Sequence, residues 1–486
     1  MMIERKKKRT FLILVILLLS VRFFHFNEEI DGPHDWRQCD TANYINDFYK
    51  NGIDIFHPTV CWMGNRDTVI LECPLPEALV AGVYKMSGPS ILIARLVFIF
   101  IFCISVFYFY KIIITLFTVE IAELATLSYL AFPLSLYYSR AIHIDFSVVA
   151  LTHAMVYYFI RGIQKRNGLN VILSSLFFLF AVLIKAPYVF YWALPLGFVL
   201  FSEKAIKWFM PYSLLYLMGL FLFYLWQRHA HEINSLSPDL FYILGYRHMT
   251  MSAGWYFGTI SQRVYLYSYW VLLKRGIFEV AGIGGISFLL PGLFQIRKQP
   301  YFIIVLLWIA GIVLFIFTFF NLNLVHNYYQ IPLLAPAAIL CAFGINKIYS
   351  RYSIHKWYLI SILIFLNVFY SLKVYYKIPK DEIEIARIIE KYTEEKDLII
   401  VTYNSMDCRN PKILYRAHRK GWSVNEMALN AKVIERLFKE NQARYWFYVG
   451  SSLPDSKMID YLSYQSLKLT IPLQQQMKNV YIFELK

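Results

Sequence analysis

The sequence predicts a polytopic α-helical membrane protein of about eleven transmembrane helices, followed by a small C-terminal α/β domain. Of the 486 residues, 58% are hydrophobic and only 16% are charged, and the mean hydropathy is +0.46. Long apolar runs recur up to about Lys377 and then stop. Basic residues fall in alternate loops between these runs. Together these observations exclude a soluble multidomain protein.

The predicted spans are apolar runs close to the length that a bilayer requires. A helix needs roughly 20 apolar residues to cross the hydrocarbon core. The predicted spans cover residues 10–26, 91–116, 119–138, 146–161, 170–187, 188–202, 208–228, 277–296, 301–320, 328–346 and 356–375.

Lysine and arginine predict the orientation of the chain, because short cytoplasmic loops retain basic residues during insertion. A basic run at residues 5–9 places the N-terminus in the cytoplasm. The first apolar segment is expected to be a retained span, since no small-residue cleavage site follows it. Loops 27–90 and 229–275 and the C-terminal domain are then extracytoplasmic, in a plasma (inner) membrane. Further basic groups agree with this topology: Arg161/Lys165/Arg166, Lys204/Lys207, Arg297/Lys298 and Lys347/Arg351/Lys356.

The predicted domains are a transmembrane domain over residues 1–378 and an exported domain over 379–486. Helical spacing over 381–392 and 431–440, with buried strand patterns at 398–401 and 445–449, indicates a small α/β fold.

The net charge of +16 indicates contact with anionic headgroups rather than nucleic acid, because the basic residues are divided among loops. The six cysteines lack metal-finger spacing, and a disulfide is permitted among the three in the first exported loop.

Two carboxylates in the first exported loop are candidates for acid–base chemistry. Asp35 lies in the stretch Pro33–Gln38, and Glu72 precedes Cys73-Pro74. Either would serve as the general base that deprotonates an incoming hydroxyl or amine. The alternative is that both are surface carboxylates at helix ends. Asp40 is interpreted as the N-cap of an interfacial helix.

A third carboxylate, Asp145, lies in the short second exported turn. Together with Asp35 and Glu72 it would form a set that either holds a divalent metal ion or shares a proton. No other cofactor is expected. The alternative is that Asp145 caps the fourth span.

Basic side chains at the same membrane level are candidates for binding a phosphate. Lys185 ends the fifth predicted span, and Arg37 and Arg140 flank the acidic residues. Arginine forms paired hydrogen bonds with phosphate, and lysine contributes a compact charge. The alternative for Lys185 is snorkelling to the interface.

His326 and Tyr328 open the tenth predicted span among polar residues and are candidates for contacts with a phosphate or a sugar. An interfacial aromatic belt is the alternative reading. Residues 246–248 and 255–256 are weaker candidates.

The order of these motifs resembles that of the GT-C superfamily of integral membrane glycosyltransferases, and most closely its protein mannosyltransferase and lipid A aminoarabinose transferase branch. The resemblance covers the first 345 residues or so and extends to the soluble tail of bacterial members. The motifs are Asp35-Trp36-Arg37-Gln38 with Asp40-Thr41-Ala42, Glu72-x-Pro74-Leu75, Ala94-Arg95-Leu96, Asp145, Lys185-x-Pro187 and His326-x-Tyr328-Tyr329-x-x-Pro332-Leu333.

This resemblance implies inverting transfer of a sugar from a polyprenyl-phosphate donor to a lipid, glycan or protein acceptor at the extracytoplasmic surface. By analogy Asp35 matches the base and Glu72 an acidic residue near donor or metal. Asp145 matches the aspartate of the second exported loop, and Lys185 the lysine that neutralises the lipid phosphate. A lipid or sugar transporter or flippase is the alternative, although its ionisable residues would lie near the bilayer midplane.

Overall fold

The computed structural model describes residues 2–65, 67–236, 253–404, 408–455, 465–474 and 477–485. Most of these residues are helical. The α-helices before residue 377 are Met2–Ser20, Asp35–Asn51, Leu75–Ser87, Ile91–Leu116, Val119–Ala131, Pro133–Tyr138, Asp145–Lys165, Gly168–Lys185, Pro187–Phe190, Ala193–Ser202, Ile206–Ser235, Ala253–Phe257, Ile260–Val264, Leu266–Arg275, Gly282–Ile296, Phe302–Thr318, Phe320–Val325, Leu334–Tyr352 and Lys356–Val374. Val21–Phe23 and Asn327–Leu333 form 3₁₀ turns, and Gly276–Ala281 is π-helical.

Within the described part of the chain, seven helices are long and apolar enough to cross a membrane, which fits a multi-pass membrane protein. Two further apolar stretches are shorter, Pro187–Ser202 and Phe302–Thr318. The count of about eleven spans therefore stays a prediction. The seven are Ile91–Leu116, Asp145–Lys165, Gly168–Lys185, Ile206–Ser235, Leu266–Ile296, Asn327–Tyr352 and Lys356–Val374.

Proline residues explain where predicted spans are interrupted. The run over 119–138 divides at Phe132, because Pro133 has no N–H to continue the helix and starts a new one. The run over 328–346 begins as a 3₁₀ turn that contains Pro332. The N-cap expected at Asp40 is wrong, since that helix already begins at Asp35.

The chain divides into two compact units, and the first contains the long apolar helices. It comprises Met1–Glu28, Ser90–Gln227 and Met251–Tyr376. Small residues allow its helices to approach closely: a Cβ at Gly292 would lie 1.9 Å from the carbonyl oxygen of Leu340. Buried Arg22 stabilises the break near Pro133 by donating to the Ser139 hydroxyl at 2.6 Å.

The second unit comprises Glu29–Pro89, Arg228–Thr250 and Lys377–Lys486, and contains a mixed five-stranded sheet. The strands are β1 Ile399–Tyr403, β2 Gly421–Ser423, β3 Tyr445–Gly450, β4 Gln465–Pro472 and β5 Asn479–Leu485. Their order in the sheet is β2-β1-β3-β5-β4, and the central strands β1 and β3 are parallel and buried along their whole length. The helices are Lys380–Tyr392, Lys412–Arg416 and Ala431–Lys439, with a 3₁₀ turn at Glu426–Ala428.

The second unit contains residues 29–89 as well as the C-terminal segment from Lys377, and hydrogen bonds join these two parts of the chain. The N–H of Gly64 donates to the carbonyl of Gly421 at 3.1 Å, and the N–H of Gly421 donates to the carbonyl of Cys61 at 2.9 Å. Gly64 has φ +60, and a Cβ there would overlap the ring of Trp422. A hydropathy pattern does not predict hydrogen bonds between segments that are distant in sequence.

Candidate functional site

Asp35 lies in a buried network of four charges within the second unit. Its carboxylate accepts a hydrogen bond from Arg416 at 3.0 Å and lies 3.7 Å from Lys412. Both cations also pair with Glu382. Asp35 is 8% exposed, and Arg416 donates in addition to the carbonyl of Ile30 at 3.0 Å. Two positive charges thus neutralise two negative ones and hold the start of the Asp35–Asn51 helix.

Arg37 lies two residues further along this helix, and its guanidinium pairs with the carboxylate of Glu72. Its guanidinium is also 3.9 Å from the carboxylate of Asp40. Glu72 is the more accessible of the two carboxylates, with 28% of its side chain exposed. Arg37 therefore neutralises carboxylates in this structure, whereas the sequence pattern predicted a contact with a phosphate.

Asp40 is 2% exposed and accepts one hydrogen bond, from the indole N–H of Trp62 at 3.0 Å. Burial raises the pKa of Asp40 to about 7, although Arg37 and the Trp62 hydrogen bond both favour the ionised form. Burial likewise raises the pKa of Glu77 to about 8. Within the described residues, the Glu77 Oε2 atom has no hydrogen-bond partner. A carboxylate that titrates near neutral pH suits proton transfer.

Asp145 and Lys185 form a buried ion pair in the first unit. The lysine Nζ lies 2.8 Å from one carboxylate oxygen of Asp145, and Nδ1 of His143 lies 2.8 Å from the other. All three side chains are buried. Asp145 is the first residue of its helix, which has Ile144 at the N-cap position, so its carboxylate binds two basic side chains instead of capping.

Three tyrosine rings surround the ammonium of Lys185. Its Nζ lies 4.7 Å from the ring centre of Tyr188, 5.1 Å from that of Tyr328 and 4.1 Å from that of Tyr329. The Tyr188 hydroxyl donates to the carbonyl of Tyr328 at 2.9 Å, which fixes this arrangement. Aromatic faces attract a cation, so the charge is held in place and not released to the interface by snorkelling.

His326 and Tyr328 lie together, with ring centres 5.1 Å apart and nearly parallel. The Tyr328 ring is also 4.5 Å from that of His143, which links the predicted pair to Asp145. Trp255 lies 6.1 Å from His326, whereas residues 246–248 lie outside the described residues. Both predicted aromatic residues are therefore buried within the first unit and are not part of a surface belt.

Arg140 is fully buried, and its guanidinium lies over the rings of Tyr376 at 4.5 Å and Tyr137 at 5.8 Å. It also donates to the carbonyl of His25 at 3.5 Å. Stacking of this kind matches a residue that packs helices together.

The geometry adds residues that the sequence analysis did not select. His143 lies in the predicted turn, and its 2.8 Å contact with the carboxylate of Asp145 distinguishes it from a core histidine. Asp40 follows Arg37 by three residues. This spacing places both side chains on one helix face and could have indicated that they interact. Arg416 and Lys412 had no local signal, because their partner Asp35 lies more than 370 positions away.

The carboxylates proposed as metal ligands each have a basic partner instead. Asp35 pairs with Arg416, Glu72 with Arg37 and Asp145 with Lys185. Among the residues that the structure describes, no three His, Cys, Asp or Glu side chains are grouped as a metal site. The donor set therefore does not fit a divalent ion.

Comparisons with known proteins identify the fold. A family model described as dolichyl-phosphate-mannose-protein mannosyltransferase matches residues 72–226. ArnT from Cupriavidus metallidurans bound to undecaprenyl phosphate is 12% identical with a TM-score of 0.66, and the match covers 97% of each chain. Its apo structure gives a TM-score of 0.68 at 11% identity, over 98% of each chain.

A more distant match is the oligosaccharyltransferase AglB from Archaeoglobus fulgidus in complex with an inhibitory peptide and a dolichol-phosphate. It is 11% identical with a TM-score of 0.55, over 91% of this chain and 69% of that one. No curated protein sequence matches at a significant level. The chain thus has the fold of the GT-C membrane glycosyltransferases and resembles the branch that contains ArnT and the protein mannosyltransferases.

Proposed function

We propose that the protein is an inverting glycosyltransferase that moves a sugar from a polyprenyl-phosphate donor to an acceptor on the extracytoplasmic side of the membrane. The observation that carries the proposal is the environment of Lys185 at the end of an apolar helix. Three tyrosine rings surround its ammonium, which pairs with Asp145. Asp145 balances this ammonium in the donor-free protein, and an ammonium held at a fixed position at a helix end can also bind a lipid-linked phosphate. ArnT, which has the same fold over nearly the whole chain, was solved with undecaprenyl phosphate.

The donor phosphate would bind at Lys185 and His143, with the rings of His326 and Tyr328 beside it. In the resting protein Asp145 neutralises the lysine. The phosphate of the donor would share that ammonium, and a protonated His143 would add a second positive charge. As the bond from the sugar to the phosphate breaks, negative charge develops on the phosphate oxygens, where these groups are already oriented.

The base is assigned to Asp40, with Glu72 as the accessible carboxylate beside it. Asp35, the residue matched to the base by family analogy, is neutralised by Arg416 and Lys412, so we assign it to holding the helix. In a transfer of this class the acceptor oxygen or nitrogen attacks the anomeric carbon and gives its proton to a general base. The electron pair of the breaking bond leaves with the polyprenyl phosphate, so one displacement inverts the anomeric centre.

Localisation and orientation complete the proposal: an inner-membrane protein with a cytoplasmic N-terminus and an extracytoplasmic C-terminal domain. The basic loops support this topology. Cysteine labelling of intact cells tests it, since labelling of a cysteine introduced on the C-terminal domain by an impermeant reagent is expected. Protection of that site in intact cells would refute the orientation.

The activity is tested with purified protein in lipid nanodiscs, a radiolabelled polyprenyl-phosphate sugar and a membrane extract as the source of acceptors. Label should move to an acceptor and leave polyprenyl phosphate in equal amount. Release of intact donor to the opposite leaflet of proteoliposomes without bond cleavage would instead identify a flippase. Failure of both across a panel of donor sugars would refute the proposal.

A further inference from the structure

The longest candidate span is broken, and the break contains a glutamate. Residues 266–296 form one candidate span, but Gly276–Ala281 within it is π-helical and Gly282 has φ +72. Insertions of this kind re-aim side chains and occur often at functional sites. Glu279 lies inside the π-helical segment, with 20% of its side chain exposed.

Asn367, from a neighbouring helix, stabilises the break. Its amide accepts from the N–H of Gly284 and donates to the carbonyl of Ala281, both at 2.9 Å. A Cβ at Gly282 would lie 2.2 Å from this amide. The backbone groups that the break leaves without helical partners are therefore satisfied within the protein, as a membrane environment requires.

The carboxylate of Glu279 binds the 326–329 segment, which carries two of the three tyrosines around Lys185. One oxygen accepts from the amide of Asn327 at 2.6 Å and from the hydroxyl of Tyr375 at 3.0 Å. The other oxygen lies 3.8 Å from Arg275, one turn earlier. The Tyr138 hydroxyl donates to the opposite end of the Asn327 amide at 2.6 Å.

Arg275 binds the same segment from the other side of the break. Its guanidinium donates to the backbone carbonyls of Asn323 and Val325. Arg275 thus binds the backbone just before His326, and Glu279 binds the side chain of Asn327 just after it. The next residue, Tyr328, contacts Lys185.

We propose that Glu279 is a positioning residue for the donor-phosphate site, acting through Asn327 on the 326–329 segment. This inference rests on the proposed function. An intramembrane carboxylate is costly unless it is paired, and here one oxygen accepts two charge-assisted hydrogen bonds while the other lies near Arg275. It does not touch the donor; it fixes the rings that surround Lys185.

The test measures donor KM and kcat for Glu279→Gln in nanodiscs, with direct binding of undecaprenyl phosphate as a second readout. Glutamine can keep one oxygen toward both donors, but it loses the charge that strengthens these hydrogen bonds and turns its amide N–H groups toward the guanidinium of Arg275, so the 326–329 segment loosens. We expect donor KM to rise about ten-fold or more while kcat changes less than about three-fold. Glu120→Gln is the matched control, because Glu120 is another carboxylate of this unit with a basic partner, Lys356. Its kinetics should match wild type.

A reciprocal exchange separates positioning from folding. Asn327→Asp alone places two carboxylates against each other and should weaken donor binding at least as much as Glu279→Gln. The double variant Glu279→Gln/Asn327→Asp restores one amide and one carboxylate, and the Tyr138 hydroxyl can still donate to Asp at position 327. Donor KM should then recover by several-fold relative to either single variant.

Equal loss in the double variant, or an unchanged KM in Glu279→Gln, would overturn the inference. A fall in kcat alone with unchanged phosphate binding would do the same. If wild-type protein neither binds undecaprenyl phosphate nor transfers sugar, the proposed function fails instead, so the two failures are distinguishable.

Discussion

If Asp40 is the base, replacing it with asparagine should abolish turnover and at the same time stabilise the protein above neutral pH. The folded pKa of this group is about 7, whereas its ordinary value is 3.8, and burial is the main cause. A raised acid pKa means that the favourable contribution is complete below the ordinary value and is lost as the pH rises through the folded value. The shift of about three pH units corresponds to about 4 kcal/mol at most.

Asparagine preserves the shape of the site, because its Oδ1 can still accept the hydrogen bond from Trp62. It removes the ionised carboxylate and thus the cost of burying it. We therefore expect Asp40→Asn to unfold at a higher temperature than wild type at pH 8, with a smaller difference at pH 5 and almost none at pH 3.5. Thermal unfolding in nanodiscs across this range measures the effect.

Turnover of the wild type should depend on the same titration. A base with a pKa near 7 is about 10% ionised at pH 6 and about 90% ionised at pH 8, so kcat/KM should rise about nine-fold between them. Glu77→Gln is the matched control, because Glu77 is another buried carboxyl of the second unit with a raised pKa, and its removal should leave the rate profile unchanged. A flat profile in the wild type, or retained turnover in a folded Asp40→Asn, would refute the assignment.

Three further predictions concern the other charged groups. Lys185→Ala should raise donor KM at least ten-fold, as expected for a lost charge-assisted contact, whereas Lys185→Arg should retain part of the donor dependence; identical donor titrations for all three proteins would contradict this role. Arg416→Met should lower the free energy of unfolding by about 3–5 kcal/mol, because it leaves Asp35 and Glu382 buried with less neutralisation, and Arg416→Met combined with Asp35→Asn should recover part of the loss in a denaturation experiment. Chelation with EDTA should leave transfer unchanged, since the three candidate metal ligands already have basic partners; loss of activity restored by a divalent cation would show otherwise.

The fold class and the segments that could cross a membrane were predictable, because burial in lipid requires long apolar runs and these are local in sequence. Strands 399–403 and 445–450 were also predictable from continuous apolar runs. The strands β2, β4 and β5 were missed, since their residues become a sheet only through pairing partners. The π-helical break at Gly276–Ala281 was missed as well, because the side chain that satisfies it, Asn367, comes from another helix.

The sequence by itself determined that the chain is a membrane protein with carboxylates and basic residues in its loops, since composition and hydropathy fix how residues partition between lipid and water. Only the tertiary structure decided which of these charges meet. Asp35 has its counter-ions in the C-terminal domain, Asp40 is buried beside Arg37 and Trp62, and Lys185 is enclosed by tyrosines. The physical reason is that the energy of a charge depends on its burial and its partners, and residues distant in sequence supply both.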